Sequence, residues 1–394
     1  MRPSTLLLLA AFATPAHAAW DWSAPVEVNS ARGAGIFPHL ESANRRGIGV
    51  SAGTVGVVWE DNRDGGPQCY LALKPAAAER FEPEIRVSQT ECYEPVVIAV
   101  GEGRFLAAWE EGGKAHARIL PGGSAVKLGE ADASQVTLAA GAGKFYAAWA
   151  EQAGKFRRVV VAQLALTGDV PAVKRARPVE ERPPAADQGW PALAVARDGS
   201  VSVAWEDRRA RHTVPMVSRS SDGQRFAAPA RLTDVESGAA PGGLGAGTGA
   251  MRPTLAAWGK KGVAAVWLDK RDFLSGYDVY AAFDAGARRF GKNVLVQDSF
   301  GENMTQWHAS IVGDGDGRAV AIWDDARDGT ADVWLSEWDG EAFGDDIALP
   351  GAAGPGTQSD PVATLDPEGF LHVVWLDRDE TAGTQIRYAR GRRR

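Results

Sequence analysis

Residues 55–66 read "VGVVWEDNRDGG", an apolar run that ends in a tryptophan and an Asp-x-Arg-Asp-Gly-Gly cluster. The phrase returns as "VSVAWEDRRA" from 201, "VAAVWLDKRDF" from 263, "AVAIWDDARDG" from 319 and "LHVVWLDRDE" from 371. Two echoes, "FLAAWEEGGK" from 105 and "FYAAWAEQAGK" from 145, keep the tryptophan and lose the Asp-x-Arg. The seven tryptophans are Trp59, Trp109, Trp149, Trp205, Trp267, Trp323 and Trp375, spaced 50, 40, 56, 62, 56 and 52 residues apart. Such a period marks stacked supersecondary units, and no amphipathic pattern of helical length lies between the tryptophans.

Each full unit carries four short strand signals in fixed order. In the fourth copy "PALAVA" is followed by the turn Arg197-Asp198-Gly199, then "SVSVAW", "VPMVSRS", the turn Ser221-Asp222-Gly223 and "FAAPARLT". Four antiparallel strands repeated seven times predict an all-β, seven-bladed β-propeller. The second strand supports this: Val201, Val203 and Trp205 lie on one face, and the other copies are apolar on both. Strands of that kind are covered from both sides, as blades between neighbouring blades are, and small residues leave room for the next blade's large ones. The last unit supplies only three strands. The missing outer one is found at the other end, where "WSAPVEVNS" at 22–30 matches "RFEPEIRVS" at 80–88, so the N-terminal strand is expected to close the ring.

Residues 1–18, with Arg2, an apolar stretch from Leu6 to Ala13 and Ala16-His17-Ala18, read as a secretory signal peptide. Residues 19–394 then form one exported domain, periplasmic or extracellular, with no membrane span and expected to be a monomer. Loss of the leader removes Arg2 and no acid, moving the net charge from -7 to -8, spread along the chain, so no nucleic-acid partner is implied. At 45% hydrophobic and 24% charged the composition is that of a globular protein. The terminal "RYARGRRR" reads as a solvated basic end.

In a four-stranded meander the hairpin after each tryptophan shares a rim with the inter-blade connections, where ligand sites gather. That places Asp61 and Arg63, Asp207 and Arg209, Asp269 and Arg271, and Asp325 and Arg327 on the rim. Their repetition favours a structural role, each Asp capping its hairpin and each Arg pairing with an acid. Better ligand candidates break the repeat there: Trp190 in "ADQGW", Trp307 and His308 in "ENMTQWH", Tyr93 and Glu94 in "TECYE". Exposed rings beside carboxylates suit sugars. The glycine-rich stretch at 237–251 is expected to be a loop over the same rim. Cys69 and Cys92 lie at adjacent strand ends of blade one and are expected to form a disulfide. The histidines show no zinc spacing and "GDGDG" at 313–317 fits a plain turn, so neither metal nor cofactor is implied.

The turns "SSDGQRF", "AFDAGARRF" and "SEWDGEAF" keep Asp222, Asp284 and Asp339 followed by an aromatic at Phe226, Phe290 and Phe343. In this the chain resembles the bacterial sialidase-like (BNR or Asp-box) propellers, with degenerate boxes. The resemblance implies the propeller fold and, for catalysis, an arginine triad, a tyrosine nucleophile paired with glutamate, and an aspartic acid-base. The stretch taken as the first inner strand reads Ile36-Phe37-Pro38, where that family carries an arginine. The expected function is therefore non-catalytic binding of a glycan, peptide or cell-envelope partner on the loop-rich face. A glycoside hydrolase of exo-sialidase type with a diverged site and a protein-interaction scaffold are the alternatives.

Overall fold

The structure is a computed structural model that describes residues 20–129, 132–235, 249–271, 276–286, 289–301, 304–379, 381 and 383–394. The leader at 1–18 and most of the glycine-rich stretch, 237–248, lie outside the described residues. The chain folds into seven antiparallel sheets around one axis, each a meander running from inner to outer strand. Blade four is typical, with Gln188–Val195 innermost, then Val201–Asp207, Val214–Ser220 and Ala230–Arg231. Among the described residues no helix is long and apolar enough to cross a membrane.

Each second strand is covered on both faces. Trp59, Trp109, Trp149, Trp205, Trp267, Trp323 and Trp375 are fully buried, each wedged against the preceding blade. Trp205, for example, packs with Tyr146, Val159 and Val161 of blade three. The small residues opposite are needed for the reverse fit: a Cβ on Gly56 would lie 2.8 Å from the Phe105 ring of blade two. Methylene-scale misfits of that kind are felt throughout an interior packed like a crystal.

The outer strands are shorter than the sequence pattern predicts, most pairing over two residues. Proline explains three of them. Pro25 and Pro229 directly precede the paired residues, Pro83 stands two before them, and none has an N–H with which to extend the ladder. The ring closes at the seventh blade: Gly383–Arg393 pairs with both Trp20–Trp22 and Val26–Glu27. The terminal arginines are therefore not a frayed tail. The strand runs to Arg393, Trp22 lies over Gly391, and Arg394 pairs with Asp21. Cys69 and Cys92 form the disulfide of blade one, 23 residues apart with Cα atoms 5.5 Å from each other.

Candidate functional site

The repeated charged phrase is built into the scaffold. In six blades the tryptophan indole N–H donates to the acid two residues on, from Trp59 to Asp61 at 2.9 Å through Trp323 to Asp325 at 3.0 Å. Where the arginine is present it grips the same carboxylate. Arg63 bonds Asp61, Arg209 bonds Asp207 at 2.8 and 2.7 Å, Arg271 bonds Asp269 at 2.7 Å, and Arg327 bonds Asp325 at 2.9 and 2.6 Å. A second acceptor from outside the hairpin then engages each guanidinium: Glu84, Glu180, Asp234 and Asp346 respectively. Three also lie over a third-strand ring, Tyr70, Tyr280 or Trp334, at 4.1, 3.8 and 4.2 Å. All four aspartates are buried, and Asp207 is held below the usual carboxylate range because the Arg209 bonds outweigh burial. These groups are occupied with one another.

A different set faces the axis. Near the start of each inner strand one residue adopts a left-handed backbone: Arg45, Glu94, Gln135, Trp190, Arg252, His308 and Asp360, with φ of 45, 46, 58, 47, 52, 51 and 56°. The position is equivalent in every blade. The second residue after each pairs with the residue before the blade's tryptophan, as in Val96 with Ala108, and the ladder of blades two to seven is shifted there by a bulge. In blade one the match is the bond from Val58 N–H to Gly47 O, 2.9 Å. None of the seven is glycine, so each carries a backbone cost on the order of 1 kcal/mol. Prolines follow four of them, at 95, 191, 253 and 361, and disfavour the α region for the residue before.

Side chains of the preceding blades hold this backbone. Glu60 accepts the N–H of Glu94 at 3.1 Å, Glu110 that of Gln135, Glu206 that of Arg252 at 2.8 Å and Asp324 that of Asp360 at 3.3 Å, all from the position after the tryptophan. Blade three has Ala150 there, and Gln135 supplies the acceptor for Trp190 instead, at 2.8 Å. Burial raises the pKa of Glu60, Glu110 and Glu206 despite these bonds.

The ring residues meet around a mouth closed below by a short 3-10 turn, Ala43–Arg45. Asn44 reaches across the axis, donating to Leu193 O at 3.0 Å and accepting from Leu255 N at 2.8 Å, so blade one plugs the channel against blades four and five. Above the plug is a cavity of about 140 Å³ whose walls include Glu41, Arg45, Trp190, Arg252, Trp307 and His308. Arg45 meets Glu41 at 3.1 Å and Asp360 at 3.7 Å, while Arg252 lies 3.5 Å from Glu41 and 3.2 Å over the Trp190 ring. His308 is bracketed by Asp324 at 2.7 Å and Asp360 at 3.3 Å. Burial works against the imidazolium, but Asp324 outweighs it and the His308 pKa rises. Asp360 is held low: burial opposes its ionisation, and His308 and Arg45 prevail. Glu94 goes the other way, pushed up to about 8 by burial and by Glu110 and Glu41, with one buried oxygen lacking a hydrogen-bond partner among the described residues. Glu41, His308 and Asp360 each offer a ligand atom within 4.8 Å of the others, but Arg45 and Arg252 already balance the carboxylates.

Of the residues singled out from sequence, Trp190, Glu94 and His308 are ring members, and Trp307 and Tyr93 stand one position outside it, 40% and 39% exposed. Trp307 leans on Tyr277, with ring centroids 5.5 Å apart. Arg45, Gln135, Arg252, Asp360 and Glu41 escaped that reading. The stretch Ile36-Phe37-Pro38 is not the first inner strand, which is Ile48–Ser51; His39 instead bridges to Glu60 along the rim, and the axial residue of blade one is Arg45. A usable signal exists, since every ring residue lies 14 or 15 positions before its blade's tryptophan. The aspartates of the outer turns accept backbone N–H groups, Asp222 from Gln224 and Arg225 and Asp339 from Glu341 and Ala342, as turn aspartates do.

No family model matches the chain, and no curated protein matches it. Solved structures share the fold. Polysaccharide lyase Uly1 aligns with a TM-score of 0.55 at 9% identity, over 88% of this chain and 89% of its own. The β-propeller domain of the Trilobed protease from Pyrococcus furiosus gives 0.53 at 11%, over 89% and 93%. The α-L-arabinofuranosidase arb93a of Fusarium graminearum, solved as a mutant with an iminosugar inhibitor, gives 0.50 at 10%, over 94% and 98%. The propeller is thus an architecture found in a lyase, a glycoside hydrolase and a domain of a protease, and at such identities it is the architecture alone that is shared.

Proposed function

We propose that this protein is an exported, monomeric propeller that binds a glycan at the axial mouth. One observation carries the reading: a single strained backbone position is repeated in all seven blades, is filled with six kinds of side chain, and lines one cavity with Arg45, Trp190, Arg252 and His308. The exposed Trp307 offers a flat apolar face for sugar C–H groups, and Arg45, Glu94, Gln135, Arg252, His308 and Asp360 offer donors and acceptors for hydroxyls. The sialidase-like ancestry implied by the outer turns and the carbohydrate-active proteins among those of similar fold fit the same reading. So does the disulfide, which fits an exported protein. A glycan array followed by calorimetry tests it. The expected result is a specific hit whose affinity falls at least tenfold in Trp307→Ala; a peptide or envelope protein captured without glycan dependence would sink it.

Hydrolysis is a second reading, favoured by the ring placing Glu94, neutral at pH 7, on one side of Arg45 and ionised Asp360 on the other. A proton donor and a carboxylate base or nucleophile in one mouth are the minimum for glycoside cleavage. Turnover of aryl glycosides that disappears in both Glu94→Gln and Asp360→Asn would establish it.

A further inference from the structure

The outer wall of the propeller is polarised in charge. In blades three, four and five the outermost segments, 170–178, 224–231 and 289–295, hold seven basic residues and no acid, and six of the seven are exposed. The corresponding segments of blades six and seven, 341–348 and 21–28, hold five acids and no base. Side chains tie the basic blades together along this wall: Arg175 donates to Gln224 at 2.7 Å and Arg219 to Asp284 at 2.9 Å. The result is one continuous basic strip on a chain whose net charge is -7.

A groove of about 640 Å³ lies in the strip between blades four and five. Its walls include the hairpin at Asp198 and the turns at Ser221 and Gly286, all at the strand ends away from the tryptophan hairpins and so on the rim opposite the mouth. The two acids that line it, Asp198 and Asp284, are engaged by Arg219, at 3.6 and 2.9 Å. Arg225 and Arg289 line the same groove, both exposed, and neither meets an acid among the described residues. The half-buried rings of Phe226 and Phe290 supply apolar wall between them. Charge that only keeps an edge strand from pairing serves with either sign, as on blades six and seven. On this wall it converges on a concave site whose own acids are already taken, and guanidinium forks match carboxylate and sulfate oxygens. We propose that the groove binds an acidic sugar unit of an anionic polysaccharide, with its acid group on Arg225 and Arg289, its ring against the phenylalanines, and the rest of the chain along the basic strip. A volume of that size admits part of a single polymer strand, which neither a bilayer surface nor a nucleic-acid duplex presents. The site is separate from the axial mouth and requires no ligand there.

Affinities of the full chain for polygalacturonate, dextran sulfate and uncharged dextran test this. One or both acidic polymers should bind, the tighter of them naming the acid group, and dextran should not. Counterion release should weaken the acidic complex about tenfold between about 50 and 200 mM salt. Replacing both exposed arginines, Arg225→Gln with Arg289→Gln, should keep Tm, weaken binding about tenfold and flatten the salt dependence. Trp307→Ala, which alters the mouth, should leave this affinity unchanged. Failure of both acidic polymers to bind, undiminished binding in the double variant, or an equal loss in Trp307→Ala would overturn the proposal. Tighter binding to anionic vesicles or to duplex DNA than to either polysaccharide would overturn it as well.

Discussion

The tryptophan layer and the axial ring are both sevenfold, yet they repeat different things. In the layer the side chains recur: an indole, the acid two residues on and, in four blades, an arginine that closes the pair. In the ring the backbone recurs, with φ between 45 and 58° in every blade, while the residue changes from Arg to Glu, Gln, Trp, His and Asp. A repeated side-chain set is what seven equivalent interfaces need to pack. A repeated strained conformation with changing chemistry is what a single asymmetric ligand needs around it, because the seven blades then contribute six kinds of group from equivalent positions.

The comparison breaks most visibly where the layer loses its acid. Asp325→Ala removes the shared acceptor of the Trp323 indole and Arg327, both buried, and is expected to cost about 3–5 kcal/mol in chemical denaturation. The seventh blade offers an internal control. Among the described residues the Trp375 indole has no partner, and Asp377 instead bonds Gln358 and Arg387 at 3.1 and 3.2 Å, so Asp377→Ala should cost only about 1 kcal/mol. Equal losses would show that the indole bond is not what the layer depends on. Opening the Cys69–Cys92 bridge by paired serine substitution should cost about 3 kcal/mol and leave ring chemistry untouched.

Smaller effects belong to the ring and carry a pH signature. Glu94 titrates near 8 in the folded protein and near 4.3 when unfolded, so ionising it within the fold is an expense that begins above pH 4 and grows up to about pH 8. Glu94→Gln removes it. The variant should match the wild type at pH 4 and exceed it by on the order of 2 kcal/mol at pH 8, read from melts across that range. A difference independent of pH would mean that Glu94 is not held neutral.

Much of the layer was legible because its signal is the residue itself: seven tryptophans, the apolar runs before them and the acid after them announce strand, wedge and hairpin. The ring was legible only where its residue looked out of place. Trp190, His308 and Glu94 stood out as departures from the repeat, whereas Asp360 in "TQSD" passed for the ordinary form and Gln135 and Arg252 drew no notice. Arg45 was hidden because Ile36-Phe37-Pro38 resembles a strand entry, and only the ladder of Ile48–Ser51 against Thr54–Val57 shows where blade one begins. Left-handed backbone at non-glycine residues has no residue signature, since surrounding structure imposes it, here through Glu60, Glu110, Glu206 and Asp324 of the neighbouring blades.

Two arginines test the distinction most directly, one from each region. Arg209 grips Asp207 and Glu180 in the layer, and Arg252 lies over Trp190 at the mouth. Calorimetric affinity for the glycan hit and Tm, measured together on Arg209→Ala and Arg252→Ala, should separate: Arg209→Ala loses stability and keeps the ligand's Kd, and Arg252→Ala keeps Tm within about 2 °C and loses at least tenfold in affinity. Undiminished binding in Arg252→Ala, with affinity lost instead in a folded Arg209→Ala, would contradict the assignment of the ring as the site.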